Sequence, residues 1–207
     1  MNQANFLASA RTRKLVELIK KIARHAAQHQ LRYFIGGGFA IDLYTGKLTR
    51  EHDDVDLVVD VVDSEAWKRC FEQWGYAIGR DDYMVYFPHS FTVGERTANE
   101  SHHQPDHILV EVWPVALMDD GTLYPPHIPE HPGRAWWKEK RHDNLQFVRF
   151  EGVDIWIEEP NITIDQKLAH VRHHKQQLSE KHIHDLKLMG RFDEYREIIR
   201  ELGDAVR

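Results

Sequence analysis

The sequence predicts an α+β fold in which a mixed sheet with flanking helices is followed by a helical C-terminal part. Three observations predict it. Apolar residues switch between a helical period near 3.6 and a strand period of 2 as far as about residue 159. Three consecutive glycines, Gly36-Gly37-Gly38, stand between an apolar strand and an apolar helix, as a tight strand-to-helix turn requires. Beyond Pro160 only helical periods remain. The expected organisation is a sheet-containing domain over residues 1–159 and a helical part over 160–207.

Taken in order, Leu15, Leu18, Ile19, Ile22, Ala23 and Ala26 recur at the spacing of an amphipathic helix, and a first strand follows over 32–35. The next helix is expected to start near Phe39. Val55, Leu57 and Val59 alternate with polar residues, which makes a strand with its apolar face toward the core. Ser64 is placed to cap a helix whose Trp67, Cys70, Phe71 and Trp74 form one face, with Gly75 just past its end. Strands are expected at 83–87, 90–93 and 107–113, and a hairpin over 147–150 and 153–157 that turns at Glu151-Gly152. Ile164, Leu168 and Val171 mark a helix after Pro160. Ser179 can cap a second helix that reaches Met189, and Phe192, Tyr195, Ile198, Ile199 and Leu202 mark a third.

The chemistry concentrates where the glycines meet the acidic strand Asp53-Asp54-Val55-Asp56-Leu57. Residues i and i+2 of a strand share a face, so Asp54 and Asp56 point the same way, roughly 7 Å apart along the backbone. Two carboxylates on a rigid strand suit a hard divalent ion such as Mg2+, which takes a few carboxylate oxygens and keeps positions for substrate phosphates. Gly37 and Gly38 let a backbone and a helix N-terminus approach phosphate groups, where amide donors favour anions. The ligand this combination fits is a nucleoside triphosphate; the bland alternative for the glycines is a tight turn with no ligand.

A Gly-Gly turn opening a helix, then a strand with Asp-hydrophobic-Asp, resembles the signature of the DNA polymerase beta-like nucleotidyltransferases. The stretches Gly37-Gly38-Phe39-Ala40-Ile41-Asp42 and Thr49-Arg50-Glu51-His52-Asp53-Asp54-Val55-Asp56 are similar, more closely, to the small aminoglycoside and lincosamide nucleotidyltransferases. Phe39 departs from the tryptophan usual in that family. The resemblance is dense from about residue 33 to 60 and recurs near Glu111. It implies a polymerase-beta-like sheet and magnesium-dependent transfer of a nucleoside monophosphate, from a triphosphate to a hydroxyl of a small molecule, with an antibiotic as the analogous acceptor.

Such a transfer needs a group to accept the attacking hydroxyl's proton. Glu111 is the candidate, as general base and as a further metal ligand: it stands alone in the apolar run Ile108-Leu109-Val110-Glu111-Val112-Trp113. A lone carboxylate there costs several kcal/mol unless it is paired or binds metal. The alternative is an edge-strand glutamate facing solvent. Arg50 can bind phosphate as a planar donor, and a role pinning the loop is equally open for Arg50 and His52. Lys181-His182-Ile183-His184-Asp185-Leu186 is similar to a Lys-Asp-x-x-Asp-Leu helix of the family. That assigns Lys181 to the triphosphate, against an ordinary exposed lysine.

Composition sets the outer bounds. At 207 residues, 42% hydrophobic and 29% charged, the chain is long enough for a buried core and has the make-up of a soluble protein. One cysteine excludes an internal disulfide and a cysteine-rich zinc module. No run of about 18 apolar residues marks a membrane span, and the N-terminus lacks the blocks of a signal peptide, so the expected location is cytoplasmic. A net charge of −6 disfavours nucleic acid and is compatible with a cationic small molecule. A monomer or homodimer is expected.

The fifteen histidines invite a metal reading that their spacing does not support. His182 and His184 fall in a helical pattern, where i and i+2 diverge. His102, His103 and His107 lie around a polar loop. The 119–137 segment holds Pro125, Pro126, Pro129, Pro132, Tyr124, Trp136 and Trp137. A long, stiff aromatic loop of this kind can shape an acceptor pocket or cover the core. Two other functions stay open: nucleotidylation of RNA or protein by a toxin-like enzyme, and a non-catalytic nucleotide-binding module.

Overall fold

The computed structural model describes residues 6–80, 90–95, 109–117, 122–124, 140–141 and 145–203. The strand expected at 83–87, the histidines at 102, 103 and 107, and Trp136 and Trp137 lie outside them, as does most of the 119–137 segment.

Helix α1, Ala10–His29, begins where Ser9 accepts a hydrogen bond from the Thr12 amide at 3.2 Å, and ends at Gln30 in the left-handed conformation. Strand β1, Tyr33–Ile35, leads through the glycines into α2, Gly37–Thr45, and then β2, Val55–Asp60. Helix α3, Ser64–Gln73, precedes β3, Tyr76–Arg80. Then come β4, Phe91–Glu95, β5, Leu109–Leu117, and the short β6, Thr122–Tyr124, and β7, Lys140–Arg141. The hairpin β8, Gln146–Phe150, and β9, Val153–Ile157, turns at Glu151 and Gly152, both at positive φ. Three helices follow: α4, Pro160–His174, α5, Glu180–Leu188, and α6, Phe192–Leu202.

The main path of the sheet runs β3-β4-β5-β2-β1-β9-β8, with β6 and β7 continuing from β5. Strand β2 pairs antiparallel with β1 and parallel with β5, so the sheet is mixed. Val55, Leu57 and Val59 are fully buried with Leu15, Ile19 and Ile22 of α1 and Trp67 and Phe71 of α3, in one core on one face of the sheet. The carboxylates alternate onto the other face. A second cluster joins Ile164, Leu168, Val171, Leu186, Tyr195 and Ile198 from α4, α5 and α6 to Ile41 of α2. The C-terminal helices are thereby seated on the helix that the glycine turn opens.

Four local expectations shift. Helix α2 starts at Gly37, two residues before Phe39, because Gly37 takes φ +60 and lets the chain enter the helix within the turn. Strand β3 was not foreseen: Gly79 breaks its apolar alternation, and a Cβ there would lie 2.6 Å from Thr92 Oγ1 of the neighbouring strand. Strand β5 continues past Pro114, where a sequence reading stops because proline cannot donate to the ladder. Ser64 and Ser179 stand at helix starts, yet neither helix has a side-chain cap bond.

Buried Asp42 of α2 fixes the loop between α2 and β2. One carboxylate oxygen accepts the hydroxyl of Thr49; the other accepts the Thr49 amide at 3.0 Å and His52 Nε2 at 2.7 Å. Asp42 can only accept, so His52 carries its hydrogen on Nε2. The His52 ring stacks on Phe39 at 3.8 Å between centroids, which gives a physical role to the residue that departs from the usual tryptophan. Asp42→Ala leaves buried donors without their acceptor and should destabilise the protein by about 3 kcal/mol. Chemical denaturation will measure this; a loss below about 1 kcal/mol would show that the loop holds without Asp42.

Candidate active site

The glycine turn is pressed against the acidic strand. The Gly36 amide donates to the Asp56 carbonyl at 2.9 Å. A Cβ on Gly37 would fall 1.9 Å from Asp56 Oδ2, and one on Gly38 would fall 1.9 Å from Arg50 Nη2. Gly37 therefore needs glycine for its φ as well as its size, whereas a side chain at Gly38 would have to displace the Arg50 guanidinium. The first amides of α2, with the positive end of the helix, open beside Asp56.

Pairing sets the remaining acids in a row. Asp56 is the register partner of Glu111 on β5, and Glu111 is the partner of Thr92 on β4, so the three share a face. On the other side of Asp56 lies Gly36, then Glu158, whose amide donates to Ile35 O at 2.8 Å and extends the β9 ladder. A Cβ on Gly36 would lie 3.6 Å from Asp56 Cβ and 3.7 Å from Glu158 Oε2. Asp54 immediately precedes β2. Burial, then the Asp54 carboxylate, pushes the Asp56 carboxyl up to about 6, against the pull of Lys167, a Trp113 side-chain hydrogen bond and Lys181.

A pair of like charges at that position suits a divalent cation. Among the described residues no group of three or more His, Cys, Asp or Glu side chains is placed to hold a metal ion. An open arrangement is what Mg2+ takes when it keeps water and substrate phosphate. Asp56 and Glu111 share a face and carry the oxygen donors that ion takes, and Asp54 stands just before β2.

Facing the acids is a group of cations from the loop before β2 and from the C-terminal helices. Arg50 makes a two-pronged ion pair with buried Asp185 of α5, Nε to Oδ1 at 2.8 Å and Nη2 to Oδ2 at 3.0 Å. Its Nη1 donates to Glu51 O at 2.9 Å and to His52 Nδ1 at 3.4 Å. Arg50 thus lies beside Gly38 with most of its donors engaged by the protein. Lys167 of α4 reaches the same Asp185 carboxylate at 3.6 Å. Burial lowers its pKa, and Asp185 and Asp56 oppose that effect. Lys181 sits on the exposed rim, 3.2 Å from Asp53 Oδ2. Asp53 also takes Arg11 from α1, at 3.6 Å.

Sequence reasoning missed Lys167 and Glu158. Lys167 falls three residues after Ile164 and four before Val171, on the apolar stripe of α4, and a lysine on a buried stripe is the anomaly that could have marked it. Glu158 sits at a strand-to-helix junction, where no pattern separates it from half-buried Glu159. His52 and Asp60, both buried, hold the scaffold: Asp60 accepts from Arg32 and from the Val62 amide, each at 3.3 Å.

Half-buried His182 reports the cation cluster. Burial first, then Lys167 and Lys181, pushes its pKa from 6.5 down to about 4. A lowered histidine value means that the unfolded chain binds the proton more tightly. The contribution is full above 6.5 and is lost as pH falls through about 4. Thermal stability should therefore drop between those limits, and His182→Gln should flatten the drop. Melting curves at pH 7 and about pH 4.5 check this; the same drop in both proteins would remove His182 from the cluster.

A family profile described as aminoglycoside-2''-adenylyltransferase matches residues 18–189. A 2''-aminoglycoside nucleotidyltransferase of Escherichia coli is 52% identical over 42 residues, 20% of this chain and 24% of that protein. The chain spans about a quarter of the length of these aminoglycoside relatives. A lincosamide resistance protein of Staphylococcus haemolyticus is 27% identical over 94 residues, 45% of this chain and 50% of that one. Of the solved structures, the lincosamide antibiotic adenylyltransferase LnuA with lincomycin bound superposes with a TM-score of 0.57 at 17% identity, over 91% of this chain and 99% of that one. The complex of ANT(2'')-Ia with adenylyl-2''-tobramycin gives 0.58 at 22% identity, over 91% and 95%. These likenesses show the shared α+β fold.

Proposed function

The chain belongs to the aminoglycoside-2''-adenylyltransferase family, and from that premise we propose that it moves a nucleoside monophosphate from a nucleoside triphosphate to a hydroxyl of a small-molecule antibiotic, releasing pyrophosphate. The observation that carries the reading is the register of Asp56 and Glu111 on one sheet face, beside a glycine turn whose Gly37 is pressed against Asp56. Names of relatives point to an aminoglycoside or a lincosamide as acceptor. The net charge of −6 favours the more cationic aminoglycoside and disfavours a polyanion such as RNA.

In this reading the triphosphate lies over the first amides of α2, where helix polarity favours anions, with Lys167 and Lys181 beside it. Asp54 and Asp56, with Glu111, are the residues that would hold Mg2+, and the ion would there offset negative charge developing around the α-phosphorus. Glu111 takes the proton of the acceptor hydroxyl as its oxygen attacks that phosphorus. The bond to the bridging oxygen breaks, and pyrophosphate leaves with the electron pair. The side chains supply placement and charge rather than a covalent intermediate.

Asp54→Asn and Asp56→Asn should each abolish turnover while the protein still folds. Glu111→Gln should keep nucleotide binding and lose about 10²-fold or more in rate, because glutamine keeps the size and cannot accept a proton. Pyrophosphate release and calorimetry separate these effects. Undiminished release from Asp56→Asn would sink the metal assignment, and an undiminished rate in Glu111→Gln would return that residue to a structural role.

The acceptor is tested by mass spectrometry of reactions that pair ATP, GTP, CTP or UTP with an aminoglycoside, a lincosamide, RNA or protein. The expected result is a nucleotide-sized mass increase on an antibiotic, with aminoglycosides the better acceptors. Label found only on RNA or protein would overturn this assignment in favour of a toxin-like enzyme.

A further inference from the structure

Glu158 lies 5% exposed on the same sheet face as Asp56, and the chemistry above does not use it. Its Oε2 accepts the hydroxyl of buried Thr163 at 2.8 Å, and its Oε1 accepts Gln166 Nε2 at 3.4 Å. Its own amide is bonded to Ile35 O at 2.8 Å, the last carbonyl of β1 before the glycine turn. The residue therefore ties the start of α4 to the turn from two directions.

Thr163, Gln166 and Lys167 stand at i, i+3 and i+4 of α4 and so share one strip of the helix. The first two grip Glu158. The third, about 6 Å further along the axis, meets the Asp185 carboxylate at 3.6 Å. We propose that Glu158 is a positioning residue for the nucleotide: by anchoring α4 to the glycine turn, it sets where Lys167 stands against the phosphates. The inference rests on the nucleotide-binding reading above. Work of this kind needs a hydrogen-bond acceptor of glutamate's length and does not need its charge, whereas a solely structural carboxylate would affect stability and leave nucleotide affinity alone.

The test is calorimetry of ATP, GTP, CTP and UTP with magnesium on wild type, followed by the best-bound nucleotide on variants whose melting curves are recorded alongside. Glu158→Ala and Lys167→Met should each weaken binding by about 10-fold, and the double variant should be no weaker than Lys167→Met, the non-additivity of two residues acting as one unit. Glu158→Gln should stay within about 2-fold of wild type, since its amide oxygen still accepts from Thr163. Thr163→Val removes the same hydrogen bond at nearly constant shape and carries the test if Glu158→Ala does not fold. Additive losses, wild-type affinity in both Glu158→Ala and Thr163→Val, or a Glu158→Gln defect as large as that of alanine would overturn the proposal and leave the proposed function standing. Wild type binding none of the four nucleotides would overturn both.

Discussion

The site depends on one steric constraint: Gly37 and Asp56 occupy space that admits no atom between them. A single added carbon at Gly37 would overlap Asp56 Oδ2 at 1.9 Å, at a φ of +60 that side chains rarely tolerate. Because Gly36 also donates to the Asp56 carbonyl, the turn is fixed to the strand by backbone and side chain together. The position of α2 follows from that contact, and so does the aim of its positive end at the carboxylates. Any bulkier turn would separate the helix terminus from the acids and divide the site in two.

Charge is arranged around this contact in two grades of permanence. Asp185 is buried and doubly bonded to the largely covered Arg50, and breaking such a pair leaves an uncompensated charge, so this part is fixed. Lys181 and Asp53 meet on the rim with side chains about half exposed, 42% and 58%. A pair of that kind contributes about 0–1 kcal/mol in water and exchanges partners readily. Lys181 can therefore leave Asp53 at little cost, and Asp53 keeps Arg11 when it does. The largely covered cations shape the cleft, and the exposed one is able to respond to a ligand.

How much of this was legible in the sequence follows from what each residue does locally. The face that Asp56 takes was readable because strand alternation fixes it, and the register of β2 with β5 places Glu111 beside it on that face. The hairpin turn at Glu151-Gly152 and the three C-terminal helices were readable from local pattern for the same reason. Residues whose meaning lies in distant partners were not. Arg50 finds Asp185, 135 positions away, and a motif alone cannot distinguish an arginine that binds phosphate from one that braces a loop. Strand β3 was hidden because Gly79, needed for close packing against Thr92, also erases the alternation that marks a strand.

The C-terminal helices are half of the site rather than an appendage to it. The sheet domain supplies the carboxylates and the glycine turn, but the cations facing them come largely from beyond residue 159, with Lys167 on α4 and Lys181 on α5. Asp185 on α5 then holds Arg50 of the loop that delivers Asp54. Ile41 of α2 completes the apolar cluster of α4, α5 and α6, so the helix that opens at the glycines is also the seat of the helices that bring the cations. Folding one part without the other would break the Arg50–Asp185 pair, leaving an arginine without its carboxylate on one side and a buried carboxylate without its arginine on the other. Each state is costly enough to explain why the two parts share a core.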